Sequence, residues 1–145
     1  MDVRKLRGQL LPVVAGLGCL VSAACSRPAQ VTSTVIPSLD EQIALGESIY
    51  NQSCANCHYD GSGNPVAADL KGSATVEAGA PNVIRVILHG QQRVAMVNGR
   101  KLNGIMPQMS YLSDEEAAAV TAYVRSAFAG QRQVVDPATV AELRK

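Results

Sequence analysis

The pentapeptide Cys54-Ala55-Asn56-Cys57-His58 constrains the fold of this chain more than any other sequence feature. A C-x-x-C-H run is the attachment signature of a covalently bound c-type haem. Its two thiols form thioether bonds to the two vinyl groups of one porphyrin, and the adjacent imidazole reaches the iron. The sequence therefore predicts one covalent haem c held by Cys54 and Cys57, with His58 as an axial ligand of the iron.

The C-x-x-C part of this motif also occurs in dithiol redox pairs, zinc half-sites and disulfides. A redox pair is expected near a βαβ pattern, whereas the residues before Cys54 predict a helix. A structural zinc site needs four ligands, and Cys54, Cys57 and His58 leave it at least one short. The remaining histidine, His89, fits the last turn of a helix, where the helix dipole favours it. Haem attachment is therefore favoured.

The amino terminus is typical of an export signal. Three basic residues within the first seven precede an apolar stretch over residues 10–21, and small residues occupy positions 22–24. This pattern predicts a cleaved signal peptide over residues 1–24, because the apolar stretch is too short to span a membrane. We therefore expect the mature protein in the periplasm.

Cys25 lies at the predicted cleavage point and is the candidate lipidation site, since bacterial lipoproteins carry an acylated cysteine at their new amino terminus. Ala23 and Ala24 fit such a signal, while Ser22 stands where lipoproteins usually carry leucine. Residues 25–39 are rich in Pro, Ser and Thr, which predicts a flexible tether with a reach of roughly 20 Å. Membrane anchoring through Cys25 and ordinary cleavage, which gives a freely diffusing protein, both remain open.

Composition limits the remaining 40–145 region to one domain with few large rings. The 145-residue chain has no Trp, one Phe and four Tyr, so a buried haem would supply bulk that side chains do not. Without residues 1–24 it carries ten basic and eleven acidic residues. This balance provides no basic footprint for nucleic acid.

Local signals predict a mainly helical domain. A first helix begins near Asp40, which can cap its free backbone amides, and a second begins at Pro81 and ends at Gly90. The predicted apolar stripe of the first helix contains Ile43, Leu45, Ile49 and Tyr50.

The carboxyl-terminal half combines a hairpin signal with a well-marked helix. Asn98-Gly99 between short strands predicts a tight β-hairpin. Ser113 and Glu116 form a capping box that opens the next helix, which ends at Gly130. Its predicted buried stripe contains Val120, Tyr123, Val124 and Ala127. With a short closing helix over 137–144, the predicted fold class is all-α, with three to five helices and one short hairpin.

A methionine is the usual second axial ligand of an electron-transfer haem. Met96, Met106 and Met109 are the candidates. Pro107 keeps Met106 extended, so that a loop presents its sulfur, and this favours Met106. Met96 falls in the predicted hairpin, and Met109 remains the alternative ligand.

Further short elements surround the pentapeptide in a fixed order. They are Gly46-x-x-x-Tyr50, Asp60-Gly61-x-Gly63, Leu70-x-Gly72, Met106-Pro107, Leu112 to Glu116, and Ala122 to Arg125. Together they resemble the class I c-type cytochromes of the bacterial exported kind, over Gly46 to Gly130. The hairpin and the carboxyl-terminal tail are most similar to small cytochrome domains attached to or serving exported dehydrogenases and copper-containing reductases.

The resemblance implies a cytochrome c fold in which the first and last helices cross, with Gly46 facing the Tyr123 region. It also implies that the His58 ring donates its other N–H to a backbone carbonyl in the following loop, often that of a proline. Pro65 is the candidate for this supporting role, although Asp69 occupies the position where proline often precedes Leu70.

An iron with six ligands has no open position for substrate, so these features predict an electron carrier and not an enzyme. The expected partners are an exported dehydrogenase or reductase, a respiratory complex or a terminal oxidase. Arg85, Arg93, Arg100 and Lys101 are candidates for a docking patch or for holding the haem carboxylates, and are equally consistent with a solvated face. The alternative function is a haem enzyme or a gas or redox sensor with a displaceable sixth ligand.

Overall fold

The computed structural model describes residues 35–64, 67–91, 95–97, 99–102 and 104–145. The predicted signal peptide, Cys25 and most of the predicted tether lie outside these residues. Within the described ranges, no helix has both the length and the apolar character that a membrane span requires.

The described residues form helices and one two-stranded antiparallel sheet. The elements are α1 (Leu39–Ile49), a π-helical segment (Tyr50–Cys54), α2 (Ala55–His58), α3 (Ala74–Glu77), α4 (Ala80–His89), β1 (Ala95–Val97), β2 (Arg100–Leu102), α5 (Asp114–Ala129) and α6 (Pro137–Leu143). α2 and α3 are single turns. The all-α fold class is confirmed, and the predicted hairpin is present, with Ala95 opposite Leu102 and Val97 opposite Arg100.

α1 starts at a capping box formed by Ser38 and Glu41. The Ser38 hydroxyl accepts from the Glu41 N–H, and the Glu41 carboxylate accepts from the Ser38 N–H at 2.8 Å. These bonds lower the pKa of Glu41. The predicted cap, Asp40, instead lies in the first turn and forms an ion pair with Arg132. Ser38 prevails because its acidic partner stands three residues on, as a capping box requires.

α1 buries a face that differs from the predicted apolar stripe. Gln42, Gly46 and Ile49 are buried, whereas Leu45 is 44% exposed, so its predicted burial is wrong. Gln42 tolerates burial because its amide donates to the Val135 carbonyl at 2.7 Å and accepts from the Val135 N–H at 2.9 Å. Both polar ends of the side chain are thereby satisfied.

Gly46 brings α1 against α5. A Cβ atom at Gly46 would lie 2.1 Å from the carbonyl oxygen of Ala119 and 2.7 Å from the Cβ of Tyr123. No side chain fits in this space, so the crossing requires glycine. The predicted approach of Gly46 to the Tyr123 region is confirmed.

α5 is the central helix of the domain and is covered on more than one side. It has the predicted Ser113–Glu116 capping box and ends at Gly130, which adopts the left-handed conformation. Its buried residues are Ala117, Ala118, Ala119, Val120, Thr121, Ala122, Val124 and Arg125. Ala127 is exposed, against prediction, because it lies beyond positions 117–125, which contain all the buried residues of this helix.

Candidate functional site

A cavity of about 270 Å³ opens beside the pentapeptide. It is lined by Tyr50, Ser53, Cys54, Cys57, His58, Ala67, Ala68, Leu70, Ser73, Thr75, Val76, Val83, Val86, Ile87, Gln91, Gly104, Ile105, Met106, Pro107, Met109, Val120 and Val124. Most of these side chains are apolar, and none of those described is acidic, lysine or arginine. The cavity therefore suits a largely apolar group.

The pentapeptide enters this cavity through a change in helix type. α1 continues into the π-helical segment, in which the Ala55 N–H donates to the Tyr50 carbonyl. Such π segments are rare and occur often at functional sites. The following turn, α2, carries Cys54 at its start, half-buried, and leaves Cys57 exposed. His58 ends that turn at the cavity wall.

One ring nitrogen of His58 is committed to the backbone. The ring Nδ1 lies 2.9 Å from the carbonyl oxygen of Ala68. Because a carbonyl only accepts, Nδ1 carries the hydrogen and Nε2 keeps its lone pair, the form that ligates a metal. Pro65, the predicted partner of this ring, lies outside the described residues, and the acceptor that the structure provides is Ala68.

The loop after His58 is closed by backbone hydrogen bonds. The N–H groups of Gly61 and Gly63 reach the His58 carbonyl at 2.8 and 3.2 Å, and the Leu70 N–H reaches the Gly61 carbonyl at 2.8 Å. Asn64 donates to the Cys57 carbonyl at 2.9 Å. Gly61 has a φ of 88° and lies against the Phe128 ring, where a Cβ atom would fall 2.5 Å from ring carbons. The predicted Asp60-Gly61-x-Gly63 element thus fixes the backbone around His58.

Two of the three candidate methionines reach the cavity. Met106 and Met109 line it and are partly buried, whereas Met96 is 67% exposed and does not line it. Met106 is held by two backbone bonds with Gln91, of 3.0 and 3.1 Å, and the Met109 N–H donates to the Ile87 carbonyl at 2.8 Å. The carboxyl end of α4 therefore fixes both sulfur-bearing residues beside the cavity.

The non-haem interpretations of the cysteines lack support. Burial, and secondarily the charge of Cys57, raises the pKa of Cys54 to about 11, whereas reactive redox cysteines have a lowered pKa. In the part of the chain that the structure describes, no three His, Cys, Asp or Glu side chains are placed to hold a metal ion. His89 does not line the cavity; its Nε2 lies 2.9 Å from the Leu143 carbonyl and joins α4 to α6.

The basic residues considered for docking lie in different settings. Arg100 forms an ion pair with Asp69, the residue after the carbonyl that holds His58. Arg85 is exposed on α4. Arg93 and the side chain of Lys101 lie outside the described residues.

The cavity fits a covalently attached haem. Two thiols, an imidazole with Nε2 available and two thioether sulfurs surround an apolar space that holds no charged side chain among the described residues. These are the donors that attach and ligate a c-type haem. A zinc or dithiol site would need neither the methionines nor the apolar walls.

Comparisons with known proteins agree with this site. Residues 41–124 match the sequence model of the family described as "Cytochrome C oxidase, cbb3-type, subunit III". The chain is 34% identical over 110 residues to a cytochrome c-552 of Thermus thermophilus, an alignment covering 70% of this chain and 83% of the relative. A second cytochrome c-552 of the same species is also 34% identical, with 70% of this chain and 74% of the relative covered. The chain belongs to the class I c-type cytochromes, electron carriers rather than enzymes, which bind one haem c covalently.

Proposed function

We propose that this cytochrome is an exported one-electron carrier in which Cys54 and Cys57 bind the haem and His58 and Met106 are its axial ligands. The observation that carries the proposal is the hydrogen bond between His58 Nδ1 and the Ala68 carbonyl at the cavity wall. This bond selects the ring tautomer whose Nε2 can bind iron. Met106 lines the same cavity and supplies the second donor.

Met106 is favoured over Met109 by its backbone. Pro107 disfavours a helical conformation at Met106, and both backbone polar groups of Met106 are used by Gln91. The residue is therefore held in an extended segment from which its side chain leaves the backbone towards the cavity. The Met106 carbonyl oxygen packs closely against Gly90, where a Cβ atom would lie only 2.5 Å from it. This contact keeps the Met106 segment against the end of α4.

Electron transfer follows from the ligand set and from the walls of the cavity. When bound, haem supplies an iron that exchanges one electron. His58 and Met106 leave no position for substrate, and their fixed backbones limit the rearrangement that accompanies a change of charge. The thioether of Met106 and the apolar walls both favour the reduced iron, so we expect a positive reduction potential.

The proposed location is the periplasm, with the domain tethered to a membrane through lipidated Cys25. The basic, apolar and small-residue pattern of residues 1–24 and the placement of Cys25 support this proposal. The proposed partners are an exported dehydrogenase or reductase, a respiratory complex or a terminal oxidase. The description of the matching family, which names an oxidase subunit, supports the last of these.

Ligand substitution with spectroscopy tests the proposal. The mature wild-type protein should carry the mass of one haem, and its oxidised form should show the weak long-wavelength absorption band of iron–methionine ligation. Met106→Ala should abolish this band and allow carbon monoxide to bind the reduced protein, while Met109→Ala, the matched control, should retain the band. Loss of the band only in Met109→Ala would assign the ligand to Met109. Carbon monoxide binding to the reduced wild-type protein would favour the sensor or enzyme alternative.

A further inference from the structure

A buried tyrosine makes one hydrogen bond inside the haem-binding pentapeptide and another to the residue directly after it. The backbone carbonyl of Tyr50 accepts from the N–H of Ala55, the first residue between the two cysteines. Its side-chain hydroxyl donates to the carbonyl of Tyr59, the residue directly after His58, at 2.9 Å. We propose that Tyr50 is a positioning residue that sets the orientation of the His58 ring by holding the backbone reversal at Tyr59.

This inference rests on the proposed role of His58 as an axial ligand. It goes beyond that role because it names a second residue that orients the His58 ring. Ala68 follows His58 in sequence, whereas Tyr50 precedes it.

The backbone conformation at Tyr59 is unfavourable and needs contacts that stabilise it. Tyr59 has φ 49° and ψ −127° and is the one non-glycine residue with positive φ in the described part of the chain. A side chain with a Cβ atom rarely adopts this conformation, and it persists only where surrounding contacts impose it. Two hydrogen bonds impose it here: the Tyr59 N–H donates to the Ala55 carbonyl at 2.8 Å, and the Tyr59 carbonyl accepts from Tyr50. Because Tyr59 follows His58 directly, relaxation of this turn would rotate the imidazole.

Tyr50 itself is rigidly placed. It is 2% exposed, and its ring lies 5.3 Å from the rings of both Tyr123 and Phe128, measured between centroids. Burial raises the pKa of its hydroxyl, which therefore stays protonated and remains a donor at neutral pH. Tyr59, in contrast, is 55% exposed, so removing its side chain costs little packing. The strain at Tyr59 and the bond from Tyr50 can therefore be varied separately.

A double-mutant cycle tests the proposal on the haem-bearing protein. Tyr50→Phe removes the hydroxyl and keeps the ring, while Tyr59→Gly removes the conformational strain. Tyr123→Phe is the matched control. The Tyr123 ring belongs to the same aromatic cluster, and its hydroxyl makes no hydrogen bond with the described residues. The readouts are the haem-methyl proton resonances of the oxidised protein, which report the orientation of the axial imidazole, and the unfolding equilibrium constant in guanidinium.

Tyr50→Phe should shift the haem-methyl resonances and raise the unfolding constant about fivefold to tenfold, the size expected for one lost hydrogen bond. In the Tyr59→Gly background, the same substitution removes the same bond to the backbone carbonyl of residue 59 and should raise the unfolding constant by a similar factor. It should shift the haem-methyl resonances much less there, because the glycine adopts the turn unaided. Tyr123→Phe should leave the resonances in place. If Tyr50→Phe does not accumulate, the double variant should restore accumulation.

Unchanged resonances in Tyr50→Phe, an equal shift of the resonances in both backgrounds, or a double variant that fails to accumulate would each overturn the inference. A wild-type protein without the mass of covalent haem would instead overturn the proposed function, so the two failures are distinguishable.

Discussion

The crossing of α1 and α5 allows a quantitative prediction at Gly46. In Gly46→Ala, the new Cβ atom would lie 2.1 Å from the Ala119 carbonyl oxygen and 2.6 Å from its carbonyl carbon, where ordinary contact begins near 3.4 Å. Both neighbours are backbone atoms of a helix and cannot rotate away. The two helices must therefore separate by roughly 1 Å, and a gap of that size removes a quarter to a half of each affected dispersion contact.

Two opposing effects set the magnitude. Overpacking of this kind costs about 1–3 kcal/mol, and a rigid backbone neighbour places Gly46 at the upper end of that range. Alanine gains about 1 kcal/mol over glycine in helix propensity. We expect Gly46→Ala to lower the free energy of unfolding by about 2 kcal/mol.

Guanidinium unfolding followed by far-ultraviolet circular dichroism measures this change. Ala44→Gly, at an exposed position on the same helix, is the matched control and should cost about 1 kcal/mol through propensity alone. If propensity governs position 46, the two substitutions change stability in opposite directions; if close approach governs it, both destabilise the protein. A Gly46→Ala protein as stable as the wild type would refute the packing argument.

Two further predictions concern polar groups. Gln42→Leu leaves the buried N–H and carbonyl of Val135 without partners. It should lower the free energy of unfolding by about 2–4 kcal/mol. Gln52→Leu, the control at an exposed glutamine, should change the free energy of unfolding by less than about 0.5 kcal/mol. Equal effects in chemical denaturation would contradict the role of Gln42. The pKa of Asp60 is lowered, chiefly because Lys71 donates to its carboxylate. The ionised Asp60 therefore stabilises the folded protein at any pH above the ordinary aspartate pKa, and this stabilisation is lost as the pH falls from that value towards the lowered pKa. Asp60→Asn should therefore unfold more easily than the wild type at neutral pH, and this difference should disappear in strong acid; a difference that is constant with pH would contradict the ion-pair argument.

The features predicted correctly from the sequence depend on short-range chemistry. The Ser113–Glu116 capping box, the start of α4 beside Pro81 and the hairpin around Gly99 each require residues only a few positions apart. A glycine in the middle of a helix suggests a close crossing at Gly46, but its partner, the Tyr123 region, follows only from the family resemblance, because it lies on a distant helix.

The features that the sequence did not reveal depend on distant partners. Gln42 has no local property that predicts burial, and it is buried because Val135, 93 positions away, satisfies both ends of its amide. Leu45 is apolar, yet it stays 44% exposed, and no local property of the sequence distinguishes it from the buried Ile49. Ala68 could not be identified as the partner of His58, because any carbonyl of the loop can accept and only the folded path of residues 60–70 selects one. The glycines at 61 and 63 are the sequence signals that this loop is tightly folded, and the structure adds the Asn64 bond to the Cys57 carbonyl.

The hairpin gains a structural role from one ion pair. Arg100 on β2 pairs with Asp69, whose neighbour Ala68 holds the His58 ring. The same hairpin leads directly into the segment that carries Met106. One side chain therefore links the two backbone segments that present the proposed axial ligands, which lie far apart in sequence. Asp69 restrains its segment through a charge-assisted pair with Arg100, which is stronger than a hydrogen bond between neutral groups.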